Sequence, residues 1–245
     1  MHEYEPRFYR HWVRDKDLVS FTVIVKESDL YVRAGRNLKR KALKLLLKHR
    51  ALLEGYIQRH PEFLTSLKPF PVEQDAPEIV KSMAEAAGKV GVGPMAAVAG
   101  AVAEFVGKEL LPFSREVIVE NGGDIFMRTL GMRSIGVYAG ESSPFTGKIA
   151  LEIQPEETPL GICTSAGTVG HSLSFGRSDA CIVLSHSTSL ADAAATAVGN
   201  LIKEVDDIPR GIDFAKGVEG IEGVVIIKDN RIGIWGEVKV VSVEG

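Results

Sequence analysis

The chain has 245 residues, of which 45% are hydrophobic, which is enough for one large core or two interlocked lobes and too apolar for a disordered chain. Its formal net charge of −3 provides no basic excess to neutralise a nucleic-acid backbone, so we expect no nucleic-acid partner. The two cysteines, Cys163 and Cys181, are too few for a disulfide framework and belong to no Cys-x-x-Cys or Cys/His cluster of the kind that binds zinc.

The amino-terminal stretch MHEYEPRFYRHWVRD is charged and aromatic, and it lacks the apolar core of a signal peptide. No uncharged apolar run of about eighteen residues, the length that a membrane span requires, occurs in the sequence. We therefore expect no export signal, no membrane span and a cytoplasmic location.

The first part of the chain predicts a β-hairpin followed by a long helix. Residues 21–25 and 30–32 are short, β-branched or apolar runs separated by Glu-Ser-Asp. From residue 38 to residue 67, apolar side chains recur with the spacing of an amphipathic helix. Asn37 is the expected cap of this helix, and Pro61 is the point where it ends or restarts.

Residues 68–77 contain three prolines and predict an irregular connector. We place a lobe boundary there. Residues 1–75 then form an N-terminal lobe made of the hairpin and the amphipathic helix, and residues 76–245 form a ligand-binding core that ends in a hairpin.

Beyond the connector, helices and short strands follow one another in mixed order, which favours an α+β fold. Residues 78–88 and 94–111 predict helices, and the second is dense in Ala and Gly, whose small side chains allow close backbone approach. The remaining predicted elements are strands at 117–120, 125–128, 134–138, 148–153, 161–163 and 181–185, a helix at 189–204, and a hairpin of 223–227 with 231–243 around Asp229-Asn230.

The last predicted helix carries a candidate half-site for a metal ion. Asp192 and Thr196 are four residues apart and therefore share one helix face, and residues 187–189 are able to cap that helix. Carboxylate and hydroxyl oxygens suit Mg²⁺, which often takes its other ligands from a bound phosphate. The alternative is structural: Asp192 favours the positive end of the helix, and Thr196 bonds back to the chain.

The segment Asn121-Gly122-Gly123-Asp124 lies between two predicted strands. Asn-Gly is a strong hairpin-turn signal, and on local grounds the plain turn is favoured. Glycines also expose backbone N–H groups, so the alternative is a loop that binds polar ligand atoms.

Residues 161–172, GICTSAGTVGHS, form the segment with the most functional composition in the chain. Its Gly, Thr and Ser residues, Thr164 and Ser165 among them, suit a loop around an anion or a sugar. His171 is a candidate general acid or base, and the alternative is a histidine with a purely structural hydrogen bond.

A second candidate phosphate-binding loop, from Gly91 through Gly93 to Met95, precedes a predicted helix, whose N-terminus would attract an anion. The loop has neither the Gly-Lys-Ser/Thr ending of a P-loop nor the spacing of a dinucleotide fingerprint.

Taken in order, these segments resemble the ApbE family of flavin transferases. The resemblance rests on Val-Ala-Gly at 98–100, Val-Glu-Asn-Gly-Gly-Asp-Ile at 119–125, Thr164-Ser165, His171, and Ala-Asp-Ala-Ala-Ala-Thr-Ala at 191–197. It covers about residues 91–200, and it fits a cytoplasmic, stand-alone branch of the superfamily.

The resemblance implies an ApbE-like, T-fold-like architecture of mixed sheet and helices. It implies that the turn at 121–124 and the Thr164-Ser165 segment line an FAD site. It also implies that Asp192 and Thr196 bind Mg²⁺ together with a backbone carbonyl near Ala96 or Ala97. The family's reaction cleaves the FAD pyrophosphate and moves FMN onto a Ser or Thr of a protein acceptor, with release of AMP.

Three features depart from the family pattern. Ala99 and Glu104 stand where the family usually has Lys and Asp, the segment around His171 lacks the usual Asp-Pro and Thr-Gly, and no lipoprotein signal is seen. Three functions therefore stay open: a Mg²⁺-dependent flavin transferase, a non-catalytic flavin- or nucleotide-binding or accessory protein on the same fold, or a different enzyme in which the hydroxyl-rich loop and His171 serve a substrate other than flavin. The small-residue helices would permit a homodimer.

Overall fold

The computed structural model describes residues 17–167 and 176–243. The chain begins with a hairpin of strands β1 (Val19–Val25) and β2 (Ser28–Ala34), followed by helix α1 (Lys39–Arg59) and the short helix α2 (Glu62–Thr65). The predicted hairpin and the restart of the helix at Pro61 are both confirmed. Asn37 accepts a hydrogen bond through Oδ1 from the backbone N–H of Lys39 at 3.0 Å.

The middle of the chain contains helix α3 (Glu78–Val90), a 3₁₀ helix (Pro94–Ala97) and helix α4 (Val98–Leu110). Gly91 ends α3 in the left-handed conformation that glycine adopts without strain, with φ of 74°. The strands that follow are β3 (Val117–Asn121), β4 (Asp124–Arg128), β5 (Arg133–Gly136), β6 (Ile149–Ile153), β7 (Leu160–Ser165) and β8 (Ala180–Ser185).

The final part of the described chain contains helices α5 (Thr188–Leu201) and α6 (Ile208–Lys216), then strands β9 (Gly223–Lys228), β10 (Arg231–Gly236) and β11 (Lys239–Ser242). The strands form two antiparallel sheets. The larger has the order β1-β2-β3-β4-β7-β8-β9-β10, and the smaller has the order β11-β6-β5.

The two faces of the large sheet pack against different layers. On one face Val119, Phe126 and Val183 join a core with the helices. On the other face Ile118 and Ile182 pack with the small sheet, whose buried residues include Leu151 and Ile153. Alternate strand residues point to opposite faces, so the alternation along each strand builds both cores. The result is a three-layer arrangement of helices, large sheet and small sheet.

The predicted α+β class is confirmed, and two element predictions need correction. The helix predicted over 189–204 ends at Leu201, and a further helix, α6, was not predicted. The predicted strand 231–243 is two strands in different sheets, because the chain turns at Gly236, where φ is 89° and a side chain would meet the carbonyl oxygen of Glu222 at 2.1 Å.

The proposed division of the chain at residue 75 stays a prediction. The large sheet extends across it, since β2 of the N-terminal hairpin pairs with β3 over Leu30–Asn121 to Ala34–Val117.

Of the helices in residues 17–167 and 176–243, none alone has the length and apolar character needed to cross a membrane. The pair Glu78–Val90 and Pro94–Phe113 meets those criteria only jointly, across a bend of 107°.

Candidate functional site

Helices α4 and α5 approach each other so closely that one position on α4 must be glycine. A Cβ atom on Gly100 would come within 2.4 Å of the carbonyl oxygen of Thr188 and within 2.7 Å of Cβ of Asp192. Ser187 immediately precedes helix α5, and its hydroxyl accepts a hydrogen bond from the backbone N–H of Leu190 at 3.3 Å, as a cap residue does. The predicted cap within 187–189 is therefore confirmed.

Asp192 stabilises the N-terminus of α4. The backbone N–H of Gly100 donates to Oδ2 of Asp192 at 2.8 Å. The residue that precedes α4, Ala97, has no polar side chain for this purpose. The structural alternative for Asp192 was an interaction with the positive end of its own helix, α5. In the structure its carboxylate lies instead beside the positive end of α4.

The turn between β3 and β4 is anchored to the same end of α4. Gly122 and Gly123 both have positive φ, 70° and 104°, and the N–H of Gly123 donates to Oε1 of Glu120 at 2.9 Å. Nδ2 of Asn121 donates to the carbonyl oxygen of Ala99 at 3.1 Å. The segment is thus the hairpin turn that local sequence favours, and it is held beside the residues that Asp192 contacts.

Asp124 closes the turn and is only 7% exposed. Its Oδ1 accepts a hydrogen bond from the backbone N–H of Thr164 on β7 at 3.3 Å. Burial, and secondly the negative charge of Asp192, hold the pKa of Asp124 well above its usual range. Burial raises the pKa of Asp192 to about 7, against the lowering effect of the N–H groups of Gly100 and Ala99. The carboxylates of Asp124 and Asp192 come from distant segments, and they are close enough for the charge of Asp192 to raise the pKa of Asp124.

Cys163 lies beneath this pair. Its thiol donates to the carbonyl oxygen of Thr188 at 3.4 Å, and burial, together with the charges of Asp124 and Asp192, raises its pKa well above the usual range. A buried thiol held in the protonated form is a poor nucleophile and a poor metal ligand. Cys163 is accordingly part of the packing under the site.

The structure brings together Asn121, Asp124, Thr164, Asp192 and the first turn of α4. Gly122 and Gly123 lie in the same turn. Thr196 is one helical turn beyond Asp192 and, like it, is partly exposed. Ser165 ends β7, is 6% exposed and pairs with Cys181 of β8 in the sheet register.

The predicted loop at 91–95 has a packing role at one position. A Cβ on Gly93 would lie 1.8 Å from the carbonyl oxygen of Ser66, so this glycine allows two backbone segments to touch. Met95 and Ala96 belong to the 3₁₀ helix Pro94–Ala97, which contacts α5. His171 lies outside the described residues, and its proposed role in catalysis stays a prediction.

No group of three or more His, Cys, Asp and Glu side chains suited to a metal ion is present among the residues that the structure describes. The predicted set, formed by Asp192, Thr196 and the carbonyl of Ala96, contains a single residue of those types. The Mg²⁺ assignment therefore stays a prediction.

Sequence reasoning did not identify the role of Glu104, which is 4% exposed. Its Oε2 accepts hydrogen bonds from the backbone N–H of Ser189 at 3.1 Å and from the Ser189 hydroxyl at 3.4 Å. A signal was present, since Glu104 is the one charged residue between Val90 and Gly107. A carboxylate in so apolar a helix needs a partner on another element.

The model of the AbpE bacteria family matches residues 10–213 of this chain. Among similar proteins, UPF0280 protein MJ1526 of Methanocaldococcus jannaschii is 41% identical over 222 residues, which cover 88% of this chain and 90% of that protein. UPF0280 protein MK0206 of Methanopyrus kandleri is 40% identical over 235 residues, which cover 93% of this chain and 95% of that protein.

Solved structures with the same fold include three ApbE proteins. The apo form of the flavinyl transferase ApbE of Pseudomonas stutzeri has a TM-score of 0.57 at 12% identity, with 92% of this chain and 94% of that chain covered. The flavin transferase ApbE of Vibrio cholerae has a TM-score of 0.56 at 14% identity, with 89% and 96% covered. The ApbE protein of Thermotoga maritima has a TM-score of 0.53 at 10% identity, with 90% and 97% covered.

Proposed function

This chain belongs to the AbpE bacteria family and so to the ApbE-like superfamily, and from that premise we propose that it binds FAD or a related flavin nucleotide together with Mg²⁺. The observation that carries the proposal is the electrostatic interaction of Asp192 with Asp124. Asp192 is bonded to the first turn of α4, and Asp124, in the turn at 121–124, is bonded to the end of β7. A carboxylate whose pKa is raised by burial and by a nearby like charge is typical of functional sites.

The residues present fit a hard divalent cation. Asp192 and Thr196 offer a carboxylate and a hydroxyl from one helix face, and the carbonyl of Ala96 is the third proposed ligand. In the absence of a cation, burial and the nearby second carboxylate both disfavour the ionised form of Asp124. A bound Mg²⁺ would favour that ionised form and would neutralise negative charge on a nucleotide pyrophosphate.

In this proposal the rest of the site binds and orients the nucleotide. The glycine turn at 121–124 offers backbone N–H groups, and Thr164 and Ser165 offer hydroxyls to phosphate or sugar oxygens. Asn121 and Asp124 act mainly by holding the turn in place, through Ala99 and Thr164 respectively. Gly93 and Met95 contribute through the 3₁₀ helix that contacts α5.

Transfer of FMN to a protein acceptor is the catalytic form of this proposal, with His171 as the candidate acid or base. Non-catalytic nucleotide binding is the second candidate, and a specific observation favours it. Position 99, where the ApbE pattern has Lys, is an alanine whose carbonyl oxygen accepts a hydrogen bond from Asn121. Position 104, where the pattern has Asp, is a glutamate that is bonded to Ser189. Position 99 thus supplies no cation for transition-state charge.

The deciding experiment titrates the purified protein with FAD, with and without Mg²⁺, and follows the flavin fluorescence and absorbance. We expect saturable binding that is tighter with Mg²⁺. AMP release in the presence of an acceptor then separates the transferase from the binder. The control for loss of a carboxylate at Asp192 is Asp213→Asn, which should bind FAD as wild type does. Asp213 is an exposed carboxylate on α6 that pairs with Lys216. Absence of FAD binding under every condition would refute the proposal.

A further inference from the structure

We infer that Glu104 is a positioning residue that holds Asp192 in place through the first turn of α5, a role that rests on the proposed function of Asp192. The bonds of Glu104 and Asp192 run in opposite directions between the same two helices. Glu104 of α4 accepts from Ser189 in the first turn of α5, and Asp192 of α5 accepts from Gly100 in the first turn of α4. Each helix therefore supplies a carboxylate that accepts a hydrogen bond from a backbone N–H in the first turn of the other.

The spacing couples the two bonds mechanically. Gly100 and Glu104 are four residues apart on α4, and Ser189 and Asp192 are three residues apart on α5, so each pair lies on one helix face. Backbone contact at Gly100 leaves no free space between the helices. A shift of the first turn of α5 would therefore displace the Asp192 carboxylate from Gly100.

Glu104 is also tied to a third helix and to a countercharge. The hydroxyl of Ser82 on α3 donates to Oγ of Ser189 at 2.8 Å, which extends the network to three helices. Nζ of Lys108, one turn further along α4, bonds to Oε1 of Glu104. The Lys108 side chain is 56% exposed whereas that of Glu104 is 5% exposed, so the carboxylate points inward to α5 and its countercharge reaches it from the surface.

The first test needs no ligand. It compares amide hydrogen exchange at Gly100, Ser189 and, as a reference for global opening, Leu46 in α1. In Glu104→Ala we expect exchange at both Gly100 and Ser189 to rise about tenfold relative to Leu46, because a bond to a charged acceptor is lost and the helix pair loosens. Glu104→Gln retains an acceptor oxygen for Ser189 and should keep Gly100 within about threefold of wild type.

The matched control is Glu109→Gln, on the same helix, since Glu109 bonds to Lys48 and His49 of α1. It should leave the ratio of Gly100 to Leu46 exchange unchanged. Faster exchange at Ser189 with unchanged protection at Gly100 would overturn the inference, as would the same loss at Gly100 in Glu109→Gln. If Glu104→Ala does not fold, Glu104→Met, which keeps the side-chain volume and removes the acceptor oxygens, replaces it in both tests and is judged by the same ratio of Gly100 to Leu46 exchange.

The second test connects the network to the nucleotide. FAD affinity with Mg²⁺ is measured in wild type, Glu104→Ala, Asp192→Asn and the double variant. If Glu104 acts through Asp192, its substitution weakens Mg²⁺-dependent binding in wild type and adds nothing in the Asp192→Asn background. Additive losses would overturn this part. If wild type binds no FAD, the proposed function fails, whereas the exchange experiment still decides whether Glu104 positions Asp192.

Discussion

The backbone N–H of Gly100 donates to Oδ2 of Asp192 at 2.8 Å, although the two residues are 92 positions apart in the chain. The carboxylate proposed to hold Mg²⁺ is therefore also the cap of a neighbouring helix. The two roles make different demands, because a cap needs only an acceptor oxygen, whereas a cation site needs a charge.

Substitution at Asp192 should separate these roles. We expect Asp192→Ala to abolish Mg²⁺-dependent FAD binding and to lower the free energy of unfolding by about 1 kcal/mol through loss of the cap. Asp192→Asn retains an acceptor oxygen and should lose binding with a smaller loss of stability. Denaturant unfolding and FAD titration of both variants provide the check. Binding that responds to Mg²⁺ equally in both variants and in wild type would exclude Asp192 as the ligand.

The close contact of α4 with α5 predicts a strong effect at Gly100. A methyl group there would overlap the carbonyl oxygen of Thr188 and Cβ of Asp192, so Gly100→Ala should cost about 2 kcal/mol or more of stability and should also impair FAD binding. Gly88→Ala, in helix α3, is the control. It meets no atom within 4 Å, and it should stabilise the protein by about 0.5 to 1 kcal/mol. Equal effects of the two substitutions in urea unfolding would contradict this account of the helix contact.

Mg²⁺-dependent binding should strengthen as the pH rises through neutrality. Burial raises the pKa of Asp192 to about 7, and the carboxylate must be ionised to hold a cation. Below that pKa, affinity should fall by up to about tenfold per pH unit, because binding must displace one proton. FAD titrations with fixed Mg²⁺ at several pH values measure this slope. An affinity that stays constant on both sides of neutrality would argue against Asp192 as a ligand.

The buried His49 predicts a pH effect on stability away from the site. Burial lowers its pKa, and Glu109, which it contacts at 2.7 Å, opposes this shift. The unfolded state then binds a proton more readily than the folded state, so the free energy of unfolding should fall as the pH drops below about 6.5. His49→Phe should flatten this slope. Leu46→Val, a destabilised variant of the same helix without a change in titration, should keep the wild-type slope in urea unfolding at each pH.

The departures at positions 99 and 104 predict that binding and transfer separate. We expect detectable FAD binding but weak or absent FMN transfer to an acceptor peptide, because loss of one transition-state donor costs about two to three orders of magnitude in rate. Incubation with FAD, Mg²⁺ and a peptide containing a flavin attachment site, followed by mass spectrometry, measures the modified fraction. Efficient modification that depends on Asp192 would show that the chain is a transferase in spite of these departures.

The local patterns of the sequence were sufficient for most of the elements. Apolar periodicity located α1, and the β-branched runs located the strands, since these signals depend on neighbours a few residues apart. Helix α6 was missed because Pro209 and Gly211 interrupt its pattern, although Pro209 lies in its first turn, where proline is tolerated. The separation of β10 from β11 depends on sheet pairing and was also missed.

For the candidate site, the sequence alone determined which residue types are available: the glycine turn at 121–124, the hydroxyls at 164–165, and Asp192 with Thr196 on one helix face. Only the tertiary structure decided that Asp192 caps α4, that Asp124 lies within electrostatic reach of it, and that Glu104 holds the first turn of α5. The physical reason is that these contacts join segments about 40 to 90 residues apart, as the register of β4 with β7 and the crossing of α4 with α5 dictate, and no local pattern encodes either.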